Sequence, residues 1–182
     1  MRLFTAITFT DEIKDELYHT ICDLKEMAIS GNFTLKENLH LTLHFIGETK
    51  TDQAKAVMQA MQQAVAKAKV GKFRLSIEGI GKFKRREGDI YWVGIAKEPF
   101  LWEIQKEMAR ELRKAGFAIE DREFKPHITL GRKVAVDKNF KFNDFEKSFH
   151  PITMDVTKVR LMKSERIQGK LTYTEIYHVD LV

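Results

Sequence analysis

Two short strings, His40-Leu41-Thr42-Leu43 and His127-Ile128-Thr129-Leu130, stand 87 positions apart in a chain of 182 residues, one in each half. Each follows a turn-like polar lead-in, Lys36-Glu37-Asn38 in the first case and Lys125-Pro126 in the second. One such string arises easily by chance. Two copies, both inside segments of apolar alternation, restrict the fold strongly. On a β-strand, residues i and i+2 point to the same face. His40 and Thr42 therefore share a face, with Leu41 and Leu43 behind them, and His127 and Thr129 stand likewise against Ile128 and Leu130. If two such strands pack about a pseudo-two-fold axis, two imidazoles and two hydroxyls converge on one cleft. The expected architecture is a single bilobal domain over residues 1–182, with the motifs at 40–43 and 127–130.

The rest of the chain is read around these strands. Helical periodicity follows Thr10 as an N-cap, with Asp11 and Glu12 in the first turn and Ile13, Leu17, Ile21 and Leu24 on one face. A second helix starts at Thr51–Asp52, carries Val57, Ala60, Met61, Ala64 and Val65, and stops before Gly71. A third opens at Pro99, carries Leu101, Ile104, Met108 and Leu112, and ends at Gly116. A short fourth helix is expected around Asn143–Phe149. Period-two segments fall at Leu3–Phe9, Leu39–Phe45, Phe73–Ile77, Ile90–Ile95, His127–Arg132, Ile152–Val156, Lys158–Ser164 and Leu171–Asp180. Helices interleaved with strands, some strands being consecutive, predict an α+β protein rather than a strictly parallel sheet.

Composition excludes several classes. Thirteen Phe, four Tyr and two Trp can fill a sizeable core, which argues against disorder. A lone Cys22 rules out an internal disulfide and fits a reducing, cytoplasmic setting. The start, MRLFTAITFT, alternates like a first strand instead of carrying the apolar run of a signal peptide. No segment reaches the ~20 apolar residues of a membrane span. Lys and Arg number 31 against 26 Asp and Glu, a net charge of +5 that permits an anionic ligand without naming one.

Two imidazoles and two hydroxyls are the inventory for acid–base chemistry at a phosphate. A neutral imidazole accepts a proton, an imidazolium donates one, and the hydroxyls bond the non-bridging oxygens. A metal centre is the competing use of histidine, because His40 and His44 are four apart. On a strand that spacing separates them by ~13 Å, at ~3.3 Å per residue, too far to share an ion. No His-Glu-x-x-His string, Cys pair or acidic cluster accompanies them, so neither metal nor other cofactor is expected. His44 reads as a rim residue, His19 as exposed on the first helix, and His150 and His178 as lacking partners. Trp92, on a central strand, reads as core.

The two strings, together with Arg2-Leu-Phe-Thr-Ala-Ile, Glu37-Asn-Leu-His-Leu-Thr-Leu-His-Phe-Ile-Gly-Glu48, Tyr91-Trp-Val-Gly94, Phe124-Lys-Pro-His-Ile-Thr-Leu-Gly-Arg132 and a late Gly169…Tyr173 strand, resemble the 2H phosphoesterase superfamily. Within it the chain is similar to the RNA 2′,3′-cyclic phosphodiesterase branch, also called 2′-5′ RNA ligase, in order and over nearly its whole length. One departure is Leu39, where many relatives have Trp. The resemblance implies two pseudo-symmetric lobes of antiparallel sheet backed by helices around a central cleft. It implies hydrolysis of a 2′,3′-cyclic phosphate at an RNA end to a 2′-phosphomonoester, without metal, in a protein taken to be a monomer with no membrane partner. By the same analogy His40 is the proton donor to the leaving O3′ and His127 the proton acceptor from water, while Thr42 and Thr129 hold the phosphate oxygens. A 5′-hydroxyl in place of water would give a 2′-5′ linkage.

Phe45 and Arg132 each lie five residues after their histidine and, by analogy, contact the terminal nucleotide, Phe45 with an apolar surface and Arg132 with a planar fork. An odd offset puts both on the wrong face of a regular strand, so a twist or bulge is required. The most basic stretch, Lys82-Phe-Lys-Arg-Arg86, reads as a hairpin loop. Lys84, Arg85 and Arg86 become candidates for RNA backbone contacts, which give affinity and salt dependence but little sequence choice. Two rivals stand beside this reading. One is another 2H phosphodiesterase acting on 2′-5′ oligoadenylate, an ADP-ribose cyclic phosphate or a small cyclic nucleotide; the other is a non-catalytic protein that binds RNA ends.

Overall fold

A computed structural model describes the whole chain, Met1–Val182. Nine strands and four α-helices follow in the order β1 (Arg2–Thr8), α1 (Asp11–Glu26), β2 (Ala28–Phe33), β3 (His40–Glu48), α2 (Ala54–Ala68), β4 (Phe73–Phe83), β5 (Asp89–Ile95), α3 (Pro99–Lys114), β6 (His127–Val136), α4 (Phe142–Ser148), β7 (Ile152–Val156), β8 (Lys158–Ile167) and β9 (Lys170–Asp180). Local chemistry accounts for several boundaries. The Thr10 hydroxyl accepts a bond from the Ile13 amide at the start of α1. Pro99 opens α3, and Gly116 follows that helix in the left-handed region at φ 90°.

The strands form two antiparallel sheets, in the orders β3-β1-β8-β9 and β2-β6-β5-β4-β7. With β2 set aside, the sheets are related strand by strand: β3 matches β6, β1 matches β5, β8 matches β4 and β9 matches β7. Helices α2 and α3 lie against the first sheet, and α1 and α4 against the second. The lobes are therefore not the two halves of the sequence. The chain passes from β1 in the first sheet to α1 and β2 on the second, returns in β3, and crosses again before β4. One cluster of 36 buried residues runs through both layers, from Leu41 and Leu161 to Ile128 and Val93, so neither lobe has a core of its own.

Strand β2 is absent from the sequence expectation. Its segment Ala-Ile-Ser-Gly-Asn-Phe has no period-two burial, and Ile29 is largely exposed. It is an edge strand held by irregular pairing to β6, so main-chain bonds rather than an apolar face define it. Strand β4 runs past the expected Ile77 to Phe83, which moves Lys82 and Phe83 from the hairpin loop into the sheet. No helix is long and apolar enough to cross a membrane.

Candidate active site

The two motif strands carry the same irregularity at the same place. In β3, Thr42 stands opposite Ala6 and His44 opposite Thr5, so Leu43 is an extra residue against β1. In β6, Thr129 stands opposite Trp92 and Gly131 opposite Tyr91, so Leu130 is the extra residue against β5. A β-bulge inserts one residue and reverses the alternation beyond it. The burial pattern records the reversal: Leu43 and His44 are both buried, as are Leu130 and Gly131, and Phe45 and Arg132 then emerge into solvent. The required bulge thus exists twice, and it turns both fifth-position side chains to the His–Thr face. Thr34 clasps the second one, its amide bonding Leu130 O at 2.9 Å and its hydroxyl bonding Thr129 O at 2.8 Å. No sequence pattern singles out Thr34.

The same reversal corrects the reading of His44. It is no rim residue but lies buried, 7% exposed, between β3 and α3, where Nε2–H donates to Gln105 O at 2.8 Å. Burial pushes its imidazole below the ordinary value, the Gln105 bond opposes that, and Arg113 adds to it.

Both motif histidines are oriented by main chain. Nδ1–H of His40 donates to Asn38 O at 2.7 Å, and Nδ1–H of His127 donates to Lys125 O at 2.6 Å, in each case the carbonyl two residues before. The polar lead-ins thus fix the tautomer that leaves Nε2 as the basic atom of each neutral ring. At His40 that atom lies 2.8 Å from the Thr42 hydroxyl, which donates to it while the ring is neutral. Both imidazoles are held below the ordinary histidine range, mainly by burial, with the carbonyl bonds acting in the opposite sense. Arg132 lowers both further, and His127 lowers His40, so the two imidazoles and the guanidinium share one electrostatic neighbourhood.

Each imidazole also packs against two aromatic rings that touch each other. His40 lies 5.0 Å from Phe4 and 5.2 Å from Tyr173, centroid to centroid. His127 lies 5.1 Å from Phe83 and 6.3 Å from Trp92. Tyr173 belongs to a strand quoted for the resemblance, but nothing in the sequence marks it, Phe4 or Phe83 as a cleft residue. The structure corrects Trp92 too: opposite Thr129, it faces the cleft rather than the core. Phe45, 54% exposed, lies 6.1 Å from Phe4 at the rim. Lys84, Arg85 and Arg86 are exposed in the β4–β5 turn, where Arg85 sits 5.6 Å over the Phe83 ring. His178 does have a partner, Glu175 at 2.7 Å, whereas His19 and His150 are exposed. No group of three His, Cys, Asp or Glu side chains is placed to hold a metal ion.

The paired lobes and duplicated His-x-Thr strands are the 2H phosphoesterase fold, which solved structures match over nearly the whole chain. Escherichia coli LigT in its apo form superposes with a TM-score of 0.78 at 25% identity, covering 99% of this chain and 96% of that one. A Thermus thermophilus structure shares the fold at a TM-score of 0.77 and 22% identity, covering 100% and 98%. The chain belongs to the 2′-5′ RNA ligase superfamily, whose family model matches residues 14–168. It is 30% identical over 179 residues to the RNA 2′,3′-cyclic phosphodiesterase of Thermotoga maritima, covering 97% of this chain and 94% of the relative. The protein of that name from Escherichia coli is 26% identical, with 96% and 93% covered.

Proposed function

We propose that the chain opens the 2′,3′-cyclic phosphate at the 3′ end of RNA to a 2′-phosphomonoester, by acid–base catalysis between His40 and His127. One observation carries the reading: two His–Thr pairs on identically bulged strands meet in one cleft, each Nδ1 already bonded to a carbonyl. His127 Nε2 takes a proton from water as the water oxygen attacks phosphorus. The P–O3′ bond breaks, and His40 Nε2–H gives its proton to O3′. Thr42 and Thr129 bond the non-bridging oxygens, and Arg132 forks onto the phosphate. Phe45 supports the ribose or base, and Lys84, Arg85 and Arg86 meet phosphates further along the RNA. With a 5′-hydroxyl in place of water, the same steps form a 2′-5′ linkage.

Burial keeps both rings neutral in the empty cleft, yet the acid must enter the reaction protonated. The phosphodiester anion supplies the compensating charge, since a neighbouring negative charge favours the imidazolium. Substrate binding therefore loads the acid. The test is product analysis on a synthetic RNA with a 2′,3′-cyclic end, in the presence of a chelator. The expected product is the 2′-phosphate at an undiminished rate. A 3′-phosphate, or complete loss of turnover on chelation, overturns the proposal.

A further inference from the structure

We infer that Trp92, seated on Gly81, forms with Phe83 a stacking platform for a nucleobase on the His127 side of the cleft, continuous with the cations of the β4–β5 turn. The identity of the ligand rests on the RNA-end chemistry proposed above; the platform rests on geometry. Trp92 lies on β5 between Thr129 of β6 and Gly81 of β4, all three on the cleft face. A Cβ at position 81 would fall 2.2 Å from two indole carbons, so only glycine lets the indole lie down on the sheet. The Phe83 ring follows at 5.3 Å, and the Arg85 guanidinium at 5.6 Å from Phe83. His127, Trp92 and Phe83 thus form one aromatic group, and Arg85 on Phe83 joins it to the exposed Lys84 and Arg86.

Two local costs coincide here. A glycine inside a strand loses more chain entropy than any other residue, and the Trp92 Nε1–H is buried without an acceptor. Neither feature helps the fold, and such violations concentrate at functional sites. The matching position in the other sheet carries Ala6, opposite Thr42, a small side chain wholly buried beside Phe4 and Met162 and unable to offer a face to a base. Aromatic faces leading into unpaired cations are the general means of holding single-stranded nucleic acid, and because every base has a π-face the platform should not choose among bases.

The test uses the full-length chain. A Trp102→Phe background leaves Trp92 as the only indole, since the chain has two. Adenosine 2′-monophosphate should quench its emission, whereas ribose 2-phosphate, which lacks a base, should compete for the cleft without quenching. Trp92→Leu and Gly81→Ala should raise KM for adenosine 2′,3′-cyclic phosphate about 10- to 100-fold, from the usual worth of base stacking. Turnover of base-less ethylene phosphate should stay within about two-fold, and Trp92→Phe should restore part of the loss. Equal losses on both substrates, or emission that adenosine 2′-monophosphate leaves unmoved, overturn the platform. Quenching by a wild-type cleft that turns over neither substrate supports the platform and removes the catalytic reading instead.

Discussion

The two walls of the cleft share a skeleton and differ in what covers it. Both present His and Thr from a strand with a bulge at the same place in the motif, and both tie Nδ1 to the carbonyl two residues back. Around His40 several cations are matched by carboxylates, although Lys14 and Arg2 make no ion pair. Arg160 meets Glu175 at 2.6 Å, Lys163 meets Glu165 at 2.9 Å, and Lys170 meets Glu37. Around His127, Lys82 meets Asp89 at 3.1 Å and Lys133 meets Glu87 at 3.2 Å, but the side chains of Arg132, Lys84, Arg85 and Arg86 make no ion pair, and the floor is the indole of Trp92. A shared skeleton with unlike coverings separates two tasks. On the proposed reading, proton transfer uses both imidazoles, whereas a polyanion approaching from one side meets the larger cluster of unpaired charge on the His127 wall.

The strongest way to break the comparison is to remove either histidine. His40→Ala and His127→Ala should each lower kcat/KM for a cyclic-phosphate RNA end by at least ~10²-fold, the usual worth of a positioned acid or base. Full activity in one variant would show that the walls are alike in shape but not in use. Arg132 and Phe45 come next, because the bulges give them equivalent places. Charge-assisted bonds are worth about 1.5–3 kcal/mol, so Arg132→Ala should cost roughly 10- to 100-fold in kcat/KM. Arg132→Lys should recover little of it, because an ammonium lacks the fork. Phe45→Ala should cost only a few-fold, since more than half of that side chain already faces water. A larger loss at Phe45 than at Arg132 would reverse the assignment of recognition to the His127 wall.

His44 sharpens the comparison differently, because the second motif has Gly131 at the matching place. Its folded pKa lies below the 6.5 of a free imidazole, chiefly through burial beside α3. The unfolded chain therefore binds a proton at a higher pH than the folded one. Stability is full above about pH 6.5 and is lost as pH falls from there through the depressed folded value. While only the unfolded state is protonated, one histidine contributes a slope of at most ~1.4 kcal/mol per pH unit. His40 and His127 act in the same sense. Denaturant midpoints between pH 7.5 and 5 should fall for the wild type and less steeply for His44→Gln. Parallel slopes would mean that His44 is not held neutral.

What the sequence discloses and what it hides divide along physical lines. The His–Thr faces and helices α1 to α3 are legible because periodicity and capping are local, whereas the bulges are expected only because the family resemblance gives Phe45 and Arg132 a place on the His–Thr face. Trp92 misleads, since a tryptophan on a central strand is usually core, and only the neighbouring Gly81 on β4 reveals the cleft face. His44 misleads because strict alternation puts it beside His40 and Thr42, and the same bulge that exposes Phe45 buries it. Strand β2 escapes notice because an edge strand bonded through its main chain needs no apolar stripe. The hidden features all depend on cross-strand register, which no single segment encodes.

The smallest expected effect lies in the basic turn, and it tests the charge asymmetry directly. Each Lys or Arg that neutralises a phosphate of single-stranded RNA releases counterions and contributes about 0.7 to the slope of log affinity against log salt. Lys84→Ala and Arg86→Ala should each lower that slope by up to about this amount and weaken binding of a long RNA a few-fold. Neither should change KM for a cyclic mononucleotide, which has no second phosphate to reach them. Lys158, 3.6 Å from Asp180 in the first sheet, is the control. Its charge is already matched, so Lys158→Ala should leave the salt slope unchanged. If the Lys158 and Lys84 variants shift the slope alike, the RNA is held by net charge over the whole surface rather than by the His127 wall. Arg85 is the less clean probe, because its guanidinium lies over Phe83 and its loss would disturb stacking and charge together.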